Sequence, residues 1–551
     1  MAMKRRDLLK QMGIYGLGVS AACGDDDGVT PDAGPLPDAG TMDMELPDAG
    51  PADMGPPEPM GPFRHGIASG DPLTDAVILW THLTTDEATA DVSYVVATDV
   101  DLTDVVAMGT VTTDAARDFT VKVDVTGLQP ATTYYYQFSG AGTSSRIGRT
   151  RTAPSGAVDR VRFAVMSCSS FNHGYFHAYR YVAERADLDA VLHLGDYIYE
   201  YGPDEYGRTR AAEPPHEIVT LEDYRQRYAQ YRRDGDLQAV HQQHPFIVVW
   251  DDHETADNSF RDGAENHDPA TEGDWEARKA VAFQAYLEWM PIRETGVPLQ
   301  IWRSIPYGDL VELLMLDTRI YARDAEATQD DRHDPERQIL GEEQEAWLVD
   351  RLENTTAQWK VLGQQVMFGQ FEGMASDGTW DAINLDQWDG FTAARERLMG
   401  HFAATADVVV LTGDIHSSWV MDITPTPHDA ATYDPTTGDG SVAVEFVSSA
   451  VTSPGIPGAV GEVIAETARA DNPHIHYVNL GQRGYYVLDI TADRAQADYF
   501  LLDGIEVDEG AQEHAISFAV PTGVSHASET TGPLPEEDAP TLAPDPPPRP
   551  L

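Results

Sequence analysis

The chain has 551 residues, with 37 Lys and Arg against 91 Asp and Glu, 18 His and two Cys. A formal charge of −54 makes the bulk surface repel nucleic acid and anionic lipid, so no sequence-specific nucleic-acid partner is expected. Hydrophobic residues at 42% provide for a large core, and no run approaches the ~20 apolar residues of a membrane span.

The N-terminus reads as an address. Lys4-Arg5-Arg6-Asp7-Leu8-Leu9-Lys10 has the pattern of a twin-arginine signal, and Ser20-Ala21-Ala22-Cys23 resembles a lipoprotein cleavage site. Residues 1–22 are read as the signal. Export places the protein in the periplasm, on the outer membrane as a lipoprotein, or at the cell surface, with a lipid on Cys23 as the sole membrane contact. Residues 23–62 carry three copies of Pro-Asp-Ala-Gly, at Pro31, Pro37 and Pro47, and no Lys or Arg before Met60. Such a segment cannot bury apolar surface and repels itself, so an extended disordered tether is expected.

From 63 to 155, short β-branched and aromatic runs recur with turn signals between them: Ala76–Trp80, Val92–Val96, Phe119–Val125, Thr133–Phe138 and Arg146–Thr150. Leu128-Gln129-Pro130-Ala131-Thr132-Thr133-Tyr134 resembles the tyrosine corner of fibronectin type III and immunoglobulin-like sandwiches. This segment is predicted to be a β-sandwich accessory domain.

From 156 to 505, apolar strands alternate with helical segments, which predicts a large α/β domain with a mixed or two-sheet core. Strands are expected at Arg162–Ser167, Ala190–Leu194, Phe246–Trp250, Leu310–Leu316, Trp359–Val366 and Val408–Thr412. Helices are expected near Phe176–Ala186, Trp275–Tyr286 and Gly341–Leu352. Glycine-rich phosphate fingerprints and a P-loop are absent, which argues against nucleotide-dependent transfer. The remainder, 506–551, reads as a Pro-rich acidic tail.

The chemistry lies at the strand ends. Cys168 follows one apolar strand, and Asp196 with Tyr199 follows the next. Asp251, Asp252, His253, Glu254, Asp257 and Asn258 follow a third, and Asp414 with His416 a fourth. Sites in α/β sheets are built beyond the carboxyl ends of strands. These are metal-ligand types, and together they carry too much charge to be buried without a cation. Thiolate and phenolate beside carboxylate favour a trivalent or borderline ion such as Fe(III), whereas carboxylate and amide oxygens suit Ca²⁺. No Cys pair is present, which argues against a structural zinc site.

At these residues the sequence resembles the PhoD-type alkaline phosphatase and phosphodiesterase family of metallophosphoesterase-like enzymes, over roughly 63–503. The matching motifs run from Gly66-Ile67-Ala68-Ser69-Gly70-Asp71-Pro72 through Gly195-Asp196-Tyr197-Ile198-Tyr199-Glu200 and Trp250-Asp251-Asp252-His253-Glu254. They continue to Leu316-Asp317-Thr318-Arg319, Gln387-Trp388-Asp389-Gly390 and Gly413-Asp414-Ile415-His416. The resemblance implies a four-layer α/β/β/α metallophosphatase domain behind the sandwich, with an Fe(III) and Ca²⁺ centre. Cys168, Asp196 and Tyr199 would ligate iron, with Asp196 bridging to calcium. Asn258, Asp414 and His416 would complete the calcium side, with Asp257 adjacent to Asn258 as the rival ligand.

Two cations so placed can activate water as an oxide or hydroxide and stabilise a phosphoryl group. Hydrolysis of phosphomonoesters and phosphodiesters by a monomeric enzyme is therefore expected. Asp252 and His253 are candidates for supporting the ligands or protonating the leaving group, and Arg319 for contacting phosphate. Two alternatives are a phosphodiesterase for phospholipids or cell-wall polymers on the same centre, and a noncatalytic calcium-binding surface protein.

Overall fold

The computed structural model describes residues 61–203 and 205–548. The expected signal and nearly all of the expected tether lie outside the described residues. Those from Pro62 onward form one compact unit.

Three strands set the frame. Arg160–Met166, Ala190–His193 and Pro245–Val248 lie side by side in parallel. They are almost wholly apolar because both faces of this sheet are covered. Gly484–Thr491 joins Arg160–Met166 antiparallel, and Arg494–Leu502, Gln512–Pro521 and Ser528–Thr530 continue outward by antiparallel pairing. On the other flank Ile67–Gly70 pairs in parallel with Pro245–Val248, then Ala76–His82 and Thr120–Thr126 follow. The result is a ten-stranded sheet.

A seven-stranded sheet faces it. Its order is Arg303–Tyr307, Val311–Met315, Trp359–Gly363, Val408–Thr412, Ala443–Val447, Ser418–Ile423, Ile475–Asn479. Phe163, Val165 and Val191 of the first sheet share one core with Leu313, Val361, Leu411 and Phe446 of the second.

Helices close both outer faces. In Leu221–Tyr231, Thr220 accepts from the Asp223 N–H while Asp223 accepts from the Thr220 N–H, a capping box that fixes the start. Its Tyr224, Tyr228 and Tyr231 recur at helical spacing and are buried against the first sheet with Leu237 and Val240 of Gly235–Gln243. Gly341–Asn354 and Thr392–Ala404 bury Leu348, Leu352, Leu398 and Phe402 against Leu314, Leu362 and Val410. At ~1.5–3 kcal/mol for each fully buried side chain, such faces hold the layers together. The expected four-layer arrangement is the one observed.

Two expectations change. The segment 63–155 does form a sandwich, with Val77, Leu79, Val92, Val121, Tyr136 and Phe138 in its core. Tyr134 forms the expected corner by accepting the Gln129 N–H at 2.8 Å. One layer of this sandwich is, however, the flank of the ten-stranded sheet. The ladder that joins them pairs Ser69 with Pro245 and Gly70 with Phe246, a separation in sequence that no local pattern reveals.

The second change concerns 506–551, which is not a loose tail. Gln512–Pro521 and Ser528–Thr530 are strands of the ten-stranded sheet. Beyond them Arg162 donates to the Pro535 carbonyl, Tyr135 to that of Thr541, and Gln243 exchanges two hydrogen bonds with Ala543. Composition suggested disorder, but the partners of this segment are backbone groups and distant side chains. Among the described residues no helix is long and apolar enough to cross a membrane.

Candidate metal centre

The parallel strands of both sheets end at the same edge, where Ser167 and Ala450 form a parallel bridge between the sheets. The loops there are tight. Cys168, Asp196, Asn258, Asp414 and His416 all have positive φ, between 50° and 60°. Non-glycine residues rarely adopt this conformation, and in a native fold it marks positions where the surroundings impose geometry on a side chain. Five of the six expected ligands share it. Gly195, with φ of 107°, allows the close approach of the neighbouring loop, since a Cβ there would fall 2.4 Å from Asp251 Cβ.

Glu254 ties the strand-end loops together. Its carboxylate accepts the N–H groups of Asp196 at 3.2 Å, Tyr197 at 2.6 Å and Asp251 at 2.8 Å. Glu200 does the same one layer out, taking His253 Nδ1 at 2.7 Å and the Asp257 N–H at 2.7 Å.

Two groups of donor atoms result. In the first, Cys168, Asp196 and His416 converge with ligand atoms within 4.8 Å of one another. Tyr199 Oη sits among them: it donates to Asp196 Oδ2 at 2.8 Å, accepts from Ser453 Oγ at 2.6 Å, and lies 3.1 Å from His416 Nε2. In the second, Asp251, Asp252 and Asp414 converge, and Asp252 also groups with Asp196 and His253.

Relative to the expected division, His416 moves to the thiol and phenol side. Asp252, expected only to support ligands or protonate a leaving group, stands in a ligand position. Asn258 donates its backbone N–H to Asp252 Oδ2 at 2.7 Å and its side-chain amide to Glu265 at 2.6 Å. Asp257 turns instead toward His253, 4.0 Å from its Nε2.

Arg319 is not placed to contact substrate. It is fully buried, with Nε on Asp251 at 2.5 Å, Nη1 on Asp386 at 2.6 Å, and Nη2 on Asp414. The expected phosphate contact is therefore replaced by a structural one: the guanidinium neutralises carboxylates from three loops.

The electrostatics call for a cation. Burial and the neighbouring Asp251 and Asp252 raise the Asp196 pKa well above the usual range, and Asp414 rises to about 6 through burial that Arg319 only partly offsets. Burial and Asp196 likewise push the Cys168 thiol upward. Burial opposes charge on His253, but Glu200, Asp252 and Asp196 outweigh it and raise its pKa well above the usual range. Asp196 Oδ1, Asp251 Oδ2, Asp252 Oδ1 and Gln387 Oε1 are buried without a hydrogen-bond partner. Orphaned carboxylate oxygens are costly in a dry site, and a bound cation satisfies them. The donor set therefore fits a two-metal centre.

The family model for PhoD-like phosphatase matches residues 163–499, and the model for its N-terminal domain matches 51–154. The chain belongs to the PhoD-like phosphatase family. It is 37% identical over 500 residues to alkaline phosphatase D of Bacillus subtilis strain 168, covering 85% of this chain and 83% of that protein. The solved structure of PhoD superposes with a TM-score of 0.79 at 35% identity, over 88% of this chain and 95% of that one. As a PhoD-like phosphatase the protein is a phosphoric ester hydrolase.

Several parts of this PhoD-like centre went unread in sequence. Ser453, the partner of Tyr199, lies in a loop without periodic signal. Asp386, which shares Arg319, belongs to a stretch of turns. A ring layer formed by Tyr206 covers the centre: it stacks on Tyr199 at 5.4 Å and meets His173 edge-on at 4.5 Å. Beside it, Arg483 donates to the His416 carbonyl at 3.3 Å. His173 and Arg483 both line a cavity of about 670 Å³ that also takes in Pro454, Ile456 and Leu480.

Proposed function

We propose that the protein is a metal-dependent alkaline phosphatase that also cleaves phosphodiesters. The observation that carries this reading is the set of buried, unpartnered carboxylate oxygens on Asp196, Asp251 and Asp252, held on strand-end loops. Fe(III) fits Cys168, Asp196 and Tyr199, with His416 on the same side. Ca²⁺ fits Asp252, Asp414 and Asn258, and Asp196 stands between the groups with Oδ2 used and Oδ1 free. When bound, such a pair of cations acidifies water and neutralises charge developing on a phosphoryl group.

The protein's own groups do the rest. Asp251 and Asp414 are aimed by Arg319, which joins their loops, and Asp252 is held by the Asn258 N–H. His253, with Nδ1 2.7 Å from Glu200, is the group suited to protonating a departing alkoxide. Tyr206 lies over Tyr199, and the neighbouring cavity, with Pro454, Ile456 and Leu480 in its wall, is the space that would receive the organic part of the substrate. Arg483, buried in the cavity lining beside His416, is the cationic group there suited to an anionic ester.

Export by the twin-arginine route, with a lipid on Cys23, is part of the same proposal and rests on the N-terminal sequence. The test of function is hydrolysis of paired p-nitrophenyl monoester and diester substrates by protein of known metal content. Turnover of both esters is expected with iron and calcium present. Loss after EGTA and recovery with Ca²⁺, but not Mg²⁺, is expected because Mg²⁺ prefers a tighter octahedral shell. Full activity with zinc alone, or indifference to EGTA, would overturn the metal assignment.

A further inference from the structure

A second cluster of metal-type side chains lies apart from the phosphatase centre, where the edges of the two sheets meet. Asp422 is on strand Ser418–Ile423 and His476 on Ile475–Asn479, the edge strand of the seven-stranded sheet. His526 immediately precedes Ala527 and Ser528–Thr530, the edge strand of the ten-stranded sheet. His526 Nδ1 is 2.7 Å from Asp422 Oδ2, and His476 Nε2 is 3.1 Å from Asp422 Oδ1. The three side chains bring one ligand atom each within 4.8 Å of one another.

Hydrogen bonding alone leaves this cluster incomplete. His476 Nε2 is buried, close to a carboxylate oxygen, and yet misaligned, so that it has no hydrogen-bond partner. The two imidazoles stand edge to face, 5.1 Å apart and 88° to each other, so their nitrogens approach the carboxylate from different directions. A tetrahedral ion with bonds of ~2.0–2.1 Å requires ligand atoms about 3.3 Å apart. The two nitrogen-to-oxygen separations, 2.7 and 3.1 Å, lie within about 0.6 Å of that value. Asp422 is fully buried and oriented by the Tyr433 hydroxyl at 2.9 Å and the Ala527 N–H at 3.1 Å. Such outer contacts characteristically hold a metal-ligating carboxylate. His526 is confined as well: Gly438, with φ of 75°, lies where a Cβ would fall 2.3 Å from His526 Cβ.

We infer that Asp422, His476 and His526 bind a divalent transition-metal ion of the zinc type. Two imidazoles and one carboxylate suit zinc over calcium or magnesium, which take oxygen ligands. Its role is structural, through histidine and carboxylate donors that the absence of a Cys pair does not exclude: it staples the C-terminal strands of one sheet to the edge of the other, independently of the phosphatase reaction.

The test compares full-length wild-type protein with His476→Gln and His526→Gln. Glutamine keeps a donor for Asp422 but is a poor zinc ligand, so folding through hydrogen bonds alone is preserved. After chelation and reloading with Ca²⁺ and iron, titration with Zn²⁺ should show wild type binding one equivalent more than either variant. Zn²⁺ should raise the wild-type Tm by about 2–4 °C more than that of either variant, with kcat on a phosphate ester unchanged. Equal zinc stoichiometry and equal thermal response in all three proteins would overturn the site and leave a hydrogen-bonded triad. Should a variant fail to fold, anomalous diffraction from zinc-soaked wild-type crystals decides. A peak between the three side chains supports the site, and its absence refutes it.

Discussion

Tyr199 donates its hydroxyl proton to Asp196 Oδ2, three residues earlier, at 2.8 Å, and Ser453 Oγ donates to the same hydroxyl at 2.6 Å. This chain of contacts aims a phenol into the thiol and carboxyl group of Cys168 and Asp196. Tyr199→Phe should abolish any visible phenolate-to-iron absorption of the loaded enzyme. Ser453→Ala keeps the phenol but removes its orienting partner, and should lower iron retention or activity by about 10–100-fold. Colour surviving in Tyr199→Phe would remove Tyr199 from the ligand set.

Arg319 invites a different test because it is buried among Asp251, Asp386 and Asp414. Arg319→Ala leaves these carboxylates without their shared cation and should cost ~3–5 kcal/mol, since breaking a buried ion network strands charge. Arg319→Lys should recover only part of this, because an ammonium cannot reproduce a three-sided fork. Urea unfolding of the metal-loaded proteins measures the loss. A variant of full stability with only a raised KM would return Arg319 to a phosphate-contacting role.

The contrast between these residues shows what was legible in sequence. Cys168, Asp196, Asp252 and Asp414 each follow a mainly apolar strand, so one-dimensional pattern located them and the common strand edge. Their partition was not legible: His416 joins Cys168 and Tyr199 only because its backbone turns through positive φ. Ser453 and Asp386 come from irregular loops, where nothing in the composition marks a role. The parallel pairing of Ile67–Gly70 with Pro245–Val248 depends on long-range topology, so the sandwich read as a separate domain. His526 fell within the segment taken for a tail, and its neighbours Asp422 and His476 are close only through sheet packing.

His244 offers a pH-dependent test away from the metal centre. It is fully buried, and burial followed by the charge of Arg149 lowers its pKa to about 3. An unfolded histidine titrates near ~6.5, so between these values the unfolded chain binds more protons at this residue than the native protein. The stability contributed by the neutral ring is complete above pH ~6.5 and is lost as pH falls toward about 3. Relative to His244→Gln, wild type should lose ~1.4 kcal/mol per pH unit across the acidic part of this window. Parallel stability curves for the two proteins would show that His244 is protonated in the native state.

The two ends of the chain should respond oppositely to truncation. A protein beginning at Gly61 should fold and retain turnover, because the acidic repeats before it offer no apolar surface to bury. Removing 531–551 is different. Arg162 loses the Pro535 carbonyl, Gln243 loses both bonds to Ala543, and Gln242 loses the Pro544 carbonyl. Arg160 also loses Glu537, leaving several arginines facing water with fewer partners. At ~0.5–1.5 kcal/mol for each net hydrogen bond, this loss amounts to a few kcal/mol. It should appear as a lower urea midpoint with kcat per folded molecule unchanged, since none of these partners belongs to the ligand set. Thermal and urea melts of the two truncated proteins beside the full chain make the comparison. Equal stability after removal of 531–551 would show that this segment merely lies on the surface, and that its composition had been the better guide.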